Sequence, residues 1–222
     1  MELNKLYRGD CLEVMKSIPD KSIDLVLTDP PYGIKMSKWT FTKSDEKWIS
    51  SKRKYKTANW DDKIPEKEYF DEIYRISKNQ IIFWGNYFTD FLEPSRCWLI
   101  WHKRINKNQW DNFSDCELAW TSFNQNMRIF EYGWVGFDWL NNPCGREDRI
   151  HPTQKPKELM KWCIENYSQP WETILDCFAG SGTTWVAAIE LWRNYILIEK
   201  DEDYCNIIEK RLKATTPPLF VM

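Results

Sequence analysis

The sequence has little of what metal and disulfide chemistry need. Its 222 residues include only two histidines, and its seven cysteines are an odd number with no C-x-x-C pair. We therefore expect no structural zinc site, and we expect the cysteines to be small core residues in a reducing cytoplasm. No apolar run approaches transmembrane length and no signal peptide opens the chain, so no membrane partner is expected.

An excess of either charge is also missing, because the formal net charge is only -2. Attraction to a polyanion must therefore come from a local charge pattern. Such a pattern lies between Lys35 and Lys56, where eight basic residues face only two acids, Asp45 and Glu46. Aromatic residues are interleaved with them, which is typical of a loop that contacts nucleic acid. A solvated loop without a partner is the alternative.

Strand-like and helix-like segments alternate along the chain. Short apolar runs predict strands at Ile23–Thr28, Gln80–Trp84, Cys97–Trp101, Thr173–Cys177 and Tyr195–Glu199. Amphipathic periodicity predicts helices at Glu66–Ser77, Pro156–Tyr167, Gly182–Trp192 and Asp201–Lys213, the last capped by Asp201. Two further segments, Glu117–Phe123 and Met127–Trp134, are expected to pair as a hairpin. The alternation predicts an α/β fold with a doubly wound, mostly parallel sheet.

The strand predicted at Ile23–Thr28 runs directly into Asp29-Pro30-Pro31-Tyr32. In open α/β sheets, the carboxyl ends of the strands build the ligand site. Proline fixes the backbone and removes an N–H donor, which leaves the carbonyl oxygens free to accept hydrogen bonds from a ligand. A carboxylate and a carbonyl beside an aromatic ring suit an exocyclic amino group on a flat base. A strand-ending turn with proline as a stop is the alternative.

A second constellation follows the strand predicted at Thr173–Cys177. Gly180 and Gly182 allow the backbone to approach a ligand closely, and the next helix offers free N–H groups to a carboxylate or phosphate. The turn is not a Walker A loop, and it lacks the third glycine of the dinucleotide fingerprint. Glu199 ends the following strand, where an acid can accept from both ribose hydroxyls. Turn and acid together suggest an adenosine-like cofactor that carries an amino-acid carboxylate.

These motifs resemble those of the amino-methyltransferases of DNA, which methylate adenine N6 or cytosine N4. That family has an Asp/Asn/Ser-Pro-Pro-Tyr/Phe catalytic motif and a Phe-x-Gly-x-Gly motif that binds S-adenosyl-L-methionine. Here the catalytic motif comes first, which resembles the permuted β subgroup. Further matches are Gly9-Asp10-Cys11, the run from His151 to Pro156, and Glu199 followed by Tyr204 and Arg211-Leu212. The resemblance covers residues 6–213 and implies a Rossmann-like methyltransferase sheet.

The resemblance implies a role for each matching residue. Asp29 and the Pro30 carbonyl would accept the two hydrogens of the target amino group, Pro31 would complete the rigid turn, and Tyr32 would stack on the extruded base. The implied cofactor-binding residues are Asp10, Cys11, Lys155, Asp176, Phe178, Gly180, Ser181, Gly182, Thr183 and Glu199. Among these, Lys155 and Thr183 would meet the cofactor carboxylate. The alternatives are a surface turn for Asp10 and a solvated charge at a helix start for Lys155.

The implied function is site-specific methylation of adenine N6 in DNA, by direct transfer from S-adenosyl-L-methionine to a flipped adenine. Aspartate at the first position of the catalytic motif resembles the adenine enzymes, whereas cytosine-N4 members more often carry serine. A cytosine-N4 DNA methyltransferase is the first alternative. An enzyme acting on RNA or on a protein glutamine, and a non-catalytic nucleic-acid-binding subunit with a methyltransferase fold, are the others.

The implied partner is double-stranded DNA. The candidate DNA-binding residues are Lys35, Lys38, Lys52, Arg53, Lys54, Arg128, Arg146 and Arg149. A single domain is expected over 1–222, with a catalytic half (1–123), a small inserted target-recognition segment (124–149) and a cofactor-binding half (150–222). We expect a cytoplasmic protein of bacterial or phage origin. A homodimer and a cognate restriction nuclease are left open as partners.

Overall fold

The computed structural model describes residues 1–34, 61–103, 114–134 and 154–214. The strands are β1 (Lys5–Arg8), β2 (Ile23–Thr28), β3 (Ser77–Phe83), β4 (Trp98–His102), β5 (Cys116–Thr121), β6 (Arg128–Glu131), β7 (Thr173–Asp176) and β8 (Asn194–Glu199). The helices described are α1 (Cys11–Met15), α2 (Lys67–Ile76), α3 (Lys157–Tyr167), α4 (Thr183–Glu190) and α5 (Glu202–Ala214), and a short 3-10 helix covers Gly85–Tyr87.

These strands form one sheet in the order β1-β8-β7-β2-β3-β5-β4-β6. The five strands from β1 to β3 in this order are all parallel to one another. Strand β5 is antiparallel to both of its neighbours, β3 and β4, while β6 is parallel to β4. The predicted α/β class with a mostly parallel sheet is therefore confirmed. Since the strands are parallel, the carboxyl ends of β1, β8, β7, β2 and β3 share one edge.

Residues along β2 alternate between two hydrophobic layers. Leu25 and Leu27 belong to the core cluster that also contains residues of α3 and α4. Val26 belongs to the cluster on the other face, together with residues of α1 and α2. All three side chains are fully buried, which is why this strand reads as a continuous apolar run rather than an alternating one. A strand covered on both faces places its carboxyl end rigidly at the centre of the sheet.

The hairpin predicted for Glu117–Phe123 and Met127–Trp134 is wrong. Strand β6 pairs in parallel with β4, from Leu99 opposite Arg128 to His102 opposite Glu131. The reason is that β5 already has a partner on each side, β3 and β4. The chain after β5 therefore passes β4 and joins the sheet on its far side, where the mostly exposed β6 is the last strand.

Two short elements have no clear pattern in the sequence. Strand β1 is four residues long with exposed ends, and helix α1 is five residues long. Neither length gives a period of hydrophobic residues to detect. The predicted longer helices are confirmed within one or two residues at most ends. Asp201 caps α5 as predicted, since its Oδ1 accepts hydrogen bonds from the backbone N–H groups of Asp203 and Tyr204 at 2.8 and 3.2 Å.

The described residues also bear on metal and membrane binding. They contain no group of three or more His, Cys, Asp or Glu side chains arranged to hold a metal ion. None of the helices among them has both the length and the apolar composition that crossing a bilayer requires. Six cysteines fall in the described ranges, all as free thiols, and only Cys116 is more than slightly exposed.

Candidate active site

The motif residues predicted from the sequence meet at the carboxyl edge of the parallel strands. Asp10 follows β1, Glu199 ends β8, Asp176 ends β7 and Asp29 follows β2. In sheet order these four carboxylates therefore form one row. The catalytic and glycine motifs are in direct contact across the row, because the Thr28 hydroxyl donates to Asp176 Oδ1 at 2.9 Å. Parallel pairing thus explains why segments so distant in sequence build one site.

Asp29 is held by one oxygen only. Its Oδ2 accepts a hydrogen bond from Lys155 Nζ at 2.5 Å. Its Oδ1 is buried and has no hydrogen-bond partner among the described residues. Burial raises the pKa of Asp29 to about 6, although the neighbouring Lys155 ammonium works in the opposite direction. The site therefore presents an unsatisfied acceptor, whose burial without a partner is costly until a donor arrives.

Lys155 is not the solvated charge of the alternative interpretation, because only 6% of it is exposed. Besides Asp29, its Nζ lies 3.3 Å from Glu117 Oε2. Burial opposes its charge, but the two carboxylates outweigh burial and raise the pKa of Lys155 above its ordinary value. The lysine is therefore an ammonium held between two acids. Its expected contact with a cofactor carboxylate stays a prediction.

Glu117 is a site residue that the sequence analysis missed. It lies near the start of β5 and is buried. Lys103, which follows β4, donates to its Oε1 at 2.8 Å. Burial works against the charge of Glu117, yet Lys155 and Lys103 hold the pKa of Glu117 below its usual value. The available signal was a charged residue inside a predicted strand, directly before Leu118.

Tyr32 is buried under two other aromatic residues. Its ring centroid lies 5.1 Å from that of Trp84 and 5.7 Å from that of Tyr87. Only 5% of Tyr32 is exposed, against 41% of Tyr87. The sequence analysis missed both covering residues, although Trp84 directly follows β3 at the same edge of the sheet. The aromatic surface beside Asp29 is therefore shared by three rings.

Asp176 uses both of its oxygens to fix the turn after β7. Besides the Thr28 hydroxyl, Oδ1 accepts from the backbone N–H of Phe178 at 3.1 Å. Thr184 in the first turn of α4 donates to Oδ2 at 2.5 Å. Burial raises the pKa of Asp176, and these donors oppose that effect. Asp176 therefore ties the catalytic strand β2 to the glycine turn.

Glu199 closes the glycine turn from the neighbouring strand. The backbone N–H of Gly180 donates to Oε2, and that of Asp201 donates to Oε1, each at 2.7 Å. Burial raises the pKa of Glu199 to about 7, and the backbone donors partly offset this. A carboxylate has about four acceptor positions, so two are left for a ligand.

Ser181 and Thr183 lie inside the turn, and both are buried. The Ser181 hydroxyl donates to Gln154 Oε1 at 3.3 Å and lies 3.5 Å from the Thr183 hydroxyl. Arg211 of α5 donates to the carbonyl of Ser181. The predicted turn residues are thus brought together with the segment that carries Lys155.

Asp10 is held at the far end of the row, beside a pair of aromatic rings. Its oxygens accept from the N–H of Leu12, the hydroxyl of Tyr69 and the ammonium of Lys200, each at 3.0 Å. Burial opposes its charge, but Lys200 and the other donors hold the pKa of Asp10 below its usual value. The rings of Tyr69 and Phe178 stack at 6.2 Å. Cys11, also predicted here, is buried.

Only one of the eight candidate DNA-binding residues, Arg128, lies in the described part of the chain. Lys35, Lys38, Lys52, Arg53, Lys54, Arg146 and Arg149 lie outside the described residues. Arg128 is exposed at the start of β6, opposite Leu99 near the start of β4. That end of β4 is at the edge of the sheet opposite to the carboxylate row. The structure therefore does not bring Arg128 together with Asp29.

Gly182 is a position where any side chain should destabilise the fold. Its φ is +77°, and an added Cβ would lie 2.5 Å from Nε1 of the fully buried Trp185. We expect Gly182→Ala to lower the free energy of unfolding by about 3 kcal/mol, from left-handed strain plus overpacking. Gly33→Ala is the matched control, since φ is +75° but the nearest atoms are 3.4 Å away. It should cost only about 1 kcal/mol in the same urea titration, and equal losses would contradict the clash.

The comparison with known families agrees with this geometry. A family model described as DNA methylase matches residues 93–210, more than half of the chain. The chain belongs to this family of N6 and N4 DNA methylases. Such an enzyme transfers a methyl group to an exocyclic amino nitrogen, and an unsatisfied carboxylate oxygen beside aromatic rings is suited to receive that group.

Individual relatives of this DNA methylase match most of its length. It is 28% identical to the type II methyltransferase M.HinfI of Haemophilus influenzae, over 97% of this chain and 70% of that protein. It is 25% identical to the type II methyltransferase M1.MboII of Moraxella bovis, over 93% and 95% respectively. A solved DNA modification methylase of Thermus thermophilus, TTHA0409 complexed with S-adenosyl-L-methionine, shares the fold over 94% of each chain, with TM-score 0.58 and 20% identity.

Proposed function

We propose that this DNA methylase is a site-specific adenine-N6 methyltransferase that uses S-adenosyl-L-methionine. The observation that carries the proposal is Asp29 Oδ1, a buried acceptor without a hydrogen-bond partner among the described residues, at the centre of the carboxyl edge. A buried acceptor of this kind calls for a donor from a ligand. An exocyclic amino group supplies one, and the carbonyl of Pro30 offers a second acceptor next to it.

The residues along the row fit this cofactor. Glu199 is a carboxylate that retains acceptor capacity for ribose hydroxyls. Asp10 already accepts from Leu12, Tyr69 and Lys200, so an adenosine amino group would share its oxygens with these donors or displace one of them. The paired rings of Tyr69 and Phe178 offer an apolar wall for a purine. Gly180 and Gly182, both with positive φ, keep the turn free of side chains where the methionine part would lie. When bound, S-adenosyl-L-methionine supplies an electrophilic methyl group on its sulfonium.

The protein's own contribution is to present the target nitrogen. The lone pair of that nitrogen is delocalised into the base, so it is a poor nucleophile. Asp29 Oδ1 and the Pro30 carbonyl accept hydrogen bonds from its two N–H groups, which favours a pyramidal nitrogen with its lone pair free. When the nitrogen gains the methyl group, it releases one of these protons to Asp29 or to solvent. The base must leave the duplex to reach this position. Positioning and electrostatic preorganisation then supply most of the rate acceleration.

The exposed aromatic surface is suited to hold the extruded base. Tyr87 is the more exposed of the two rings that pack on Tyr32, and Trp84 lies beside it with ring centroids 5.7 Å apart. Stacking on such rings is worth about 1–3 kcal/mol per base. Tyr32, which the resemblance assigns to stacking, lies beneath them, so we propose that base entry moves Tyr87 or Trp84 aside or uses them as the stacking faces.

The choice of adenine rests on the first residue of the motif. Asp29 resembles the adenine enzymes, and cytosine-N4 methylation is the second candidate. The test is to incubate DNA with methyl-labelled S-adenosyl-L-methionine, digest the DNA to nucleosides, and sequence the modified positions. Label on N6-methyladenine within one short motif is expected. Label only on N4-methylcytosine would overturn the base assignment, and label on RNA but not DNA would overturn the substrate.

The organisation of the chain around this site is also proposed. We assign residues 1–123 to catalysis, 124–149 to target recognition and 150–222 to cofactor binding. The basic residues between Lys35 and Lys56 are proposed to contact the phosphates of double-stranded DNA, on the strength of their charge pattern. A cytoplasmic location, a homodimer and a cognate restriction nuclease fit a type II methylase of this kind.

The methylation rate should depend on the protonation of Asp29. Because burial raises the pKa of Asp29 to about 6, the carboxylate is ionised above pH 6 and protonated below it. A protonated Oδ1 is a poorer acceptor, so we expect the rate to fall roughly tenfold per pH unit below about 6. Single-turnover rates at saturating cofactor measure this, with circular dichroism confirming that the protein stays folded. A flat profile through this range would contradict the role of Asp29.

A further inference from the structure

Four buried or partly buried charges of alternating sign lead away from the proposed target position. In order they are Asp29, Lys155, Glu117 and Lys103, with successive N–O distances of 2.5, 3.3 and 2.8 Å. No more than 18% of any of these side chains is exposed. Removing charges from water is expensive even when they are paired. An arrangement of this cost at the catalytic motif calls for a function beyond stability.

The two oxygens of Asp29 have different surroundings. Lys155 occupies Oδ2, and Oδ1 has no partner among the described residues. A lysine ammonium has three rotatable donors and a flexible stem, so by itself it can swing between the two oxygens of a carboxylate. Glu117 Oε2 lies on the other side of Lys155 Nζ. At 3.3 Å, Oε2 forms an ion pair with the ammonium but has no hydrogen-bond partner among the described residues, so it restrains Lys155 through charge alone. Lys103 in turn holds Glu117 through Oε1.

We propose that Glu117 is a positioning residue for methyl transfer: by holding Lys155 on Oδ2 of Asp29, it keeps Oδ1 open for the target amino group. The inference rests on the proposed function, because it assigns Oδ1 to that amino group. Glu117 itself touches neither the base nor the methyl group. It acts through Lys155, and Lys103 balances its charge so that the four-residue chain is neutral.

The charge of Glu117 also keeps Asp29 a good acceptor. The charged groups that face Asp29 are the Lys155 ammonium and the carboxylates of Glu117 and Asp176. Burial raises the pKa of Asp29 most, and the negative charge of Glu117 raises it further against the opposing effect of Lys155. Without that charge, Lys155 would act on Asp29 alone. The pKa of Asp29 would then fall, and the acid limb of the rate profile would move to lower pH.

The test compares Glu117→Gln with a matched control, Glu190→Gln. Glu190, the last residue of α4, also bridges two lysines, Lys157 at 2.8 Å and Lys161 at 3.2 Å, but it is not part of the four-residue chain that includes Asp29. At saturating cofactor, Glu117→Gln should slow single-turnover methylation about 10- to 100-fold, the usual effect of a misplaced reacting group. The pH below which the methylation rate falls should be lower for Glu117→Gln than for the unmodified protein. The KM of the variant for S-adenosyl-L-methionine should stay unchanged. Glu190→Gln should match the unmodified protein in all three measurements.

The outcomes separate positioning from a general structural role. A Glu117→Gln rate equal to that of the unmodified protein overturns the inference, and so does a slower rate with an unmoved acid limb. Glu117→Asp keeps the negative charge but moves it away from Lys155 by the length of one methylene group. Its methylation rate should therefore lie between those of Glu117→Gln and the unmodified protein. If Glu117→Gln does not fold, Glu117→Asp carries the test: a several-fold slower rate supports the inference, and an unchanged rate overturns it.

Failure of the proposed function gives a different result. An unmodified protein that binds S-adenosyl-L-methionine but methylates no adenine in DNA overturns the function, whatever the variants do. An unmodified protein that methylates adenine, together with a Glu117→Gln variant of the same rate and pH profile, overturns only the role of Glu117.

Discussion

Asp29→Ala should slow methyl transfer about 10³-fold and leave cofactor binding unchanged. The substitution removes the buried oxygen Oδ1 that we assign to the target amino group. Removing one preorganised contact to a reacting group commonly costs 10²–10³-fold, and the loss here should be on the order of 10³-fold. Lys155 keeps Glu117 as a partner, so no buried charge is left alone. Label transfer to DNA measures the loss, and calorimetry with S-adenosyl-L-methionine checks binding.

The matched control, Asp24, lies on β2, the strand that Asp29 follows. Asp24 also pairs with a lysine, Lys78 at 2.6 Å, and its side chain is 19% exposed against 18% for Asp29. It also accepts from the N–H of Thr173 at the opposite edge of the sheet. Asp24→Ala should therefore lower thermal stability and leave the rate per folded molecule unchanged. Undiminished methyl transfer by Asp29→Ala, with intact cofactor binding, would reject the mechanism.

Glu199→Gln should weaken S-adenosyl-L-methionine binding about 100-fold. The carboxylate accepts from the N–H groups of Gly180 and Asp201, and an amide has only one oxygen to offer them. The NH₂ group of the glutamine would face one of these two backbone N–H groups, and two donors repel each other. The substitution therefore loosens the glycine turn and also removes an acceptor for the ribose hydroxyls. Two disturbed hydrogen bonds to a charged group are worth about 3 kcal/mol, or about 100-fold in affinity. Equilibrium dialysis with labelled cofactor measures the change.

The pH dependence of binding gives a second readout for Glu199. Because burial raises the pKa of Glu199 to about 7, the ionised form prevails above pH 7 and is lost as the pH falls through it. Cofactor affinity of the unmodified protein should therefore decline below about pH 7, and Glu199→Gln should not show this decline. Glu202→Gln, an exposed neighbour in α5, is the control and should bind normally. If Glu199→Gln and the unmodified protein bind S-adenosyl-L-methionine with the same affinity, Glu199 has no role in cofactor binding.

The central strands and both motifs were predictable because their signals are local. An apolar run such as Ile23–Thr28 followed by charge and proline marks a buried strand and its end. Parallel pairing then brings the ends of β2, β7 and β8 to one edge without further information. The position of β6 was not predictable in the same way. Strands that are neighbours in sequence most often pair as a short hairpin. That pairing is excluded here only because β5 already pairs with β3 on one side and with β4 on the other.

The partners of Asp29 required the structure. Lys155 belongs to a recognisable motif, but nothing in the sequence shows that it reaches Asp29 rather than solvent or cofactor. Glu117 belongs to no motif, and its importance comes from antiparallel β5, which places the start of that strand at the carboxyl edge. Trp84 and Tyr87 are two of many aromatic residues in the chain. Tertiary proximity, which has no local signature, decides which of them cover the catalytic motif.

One contact near the catalytic motif bears on how this protein can change during evolution. Fully buried Asp61 accepts hydrogen bonds from the N–H groups of Tyr32 and Gly33 at 3.0 and 2.8 Å. It therefore joins the two ends of the segment that begins after Ile34 and carries the basic residues. Closing a longer segment costs little, about 0.6 kcal/mol per doubling of length. We therefore expect insertions and substitutions in that segment to leave Asp29 in place, so that the DNA contacts proposed for the segment can change without a change in the proposed chemistry.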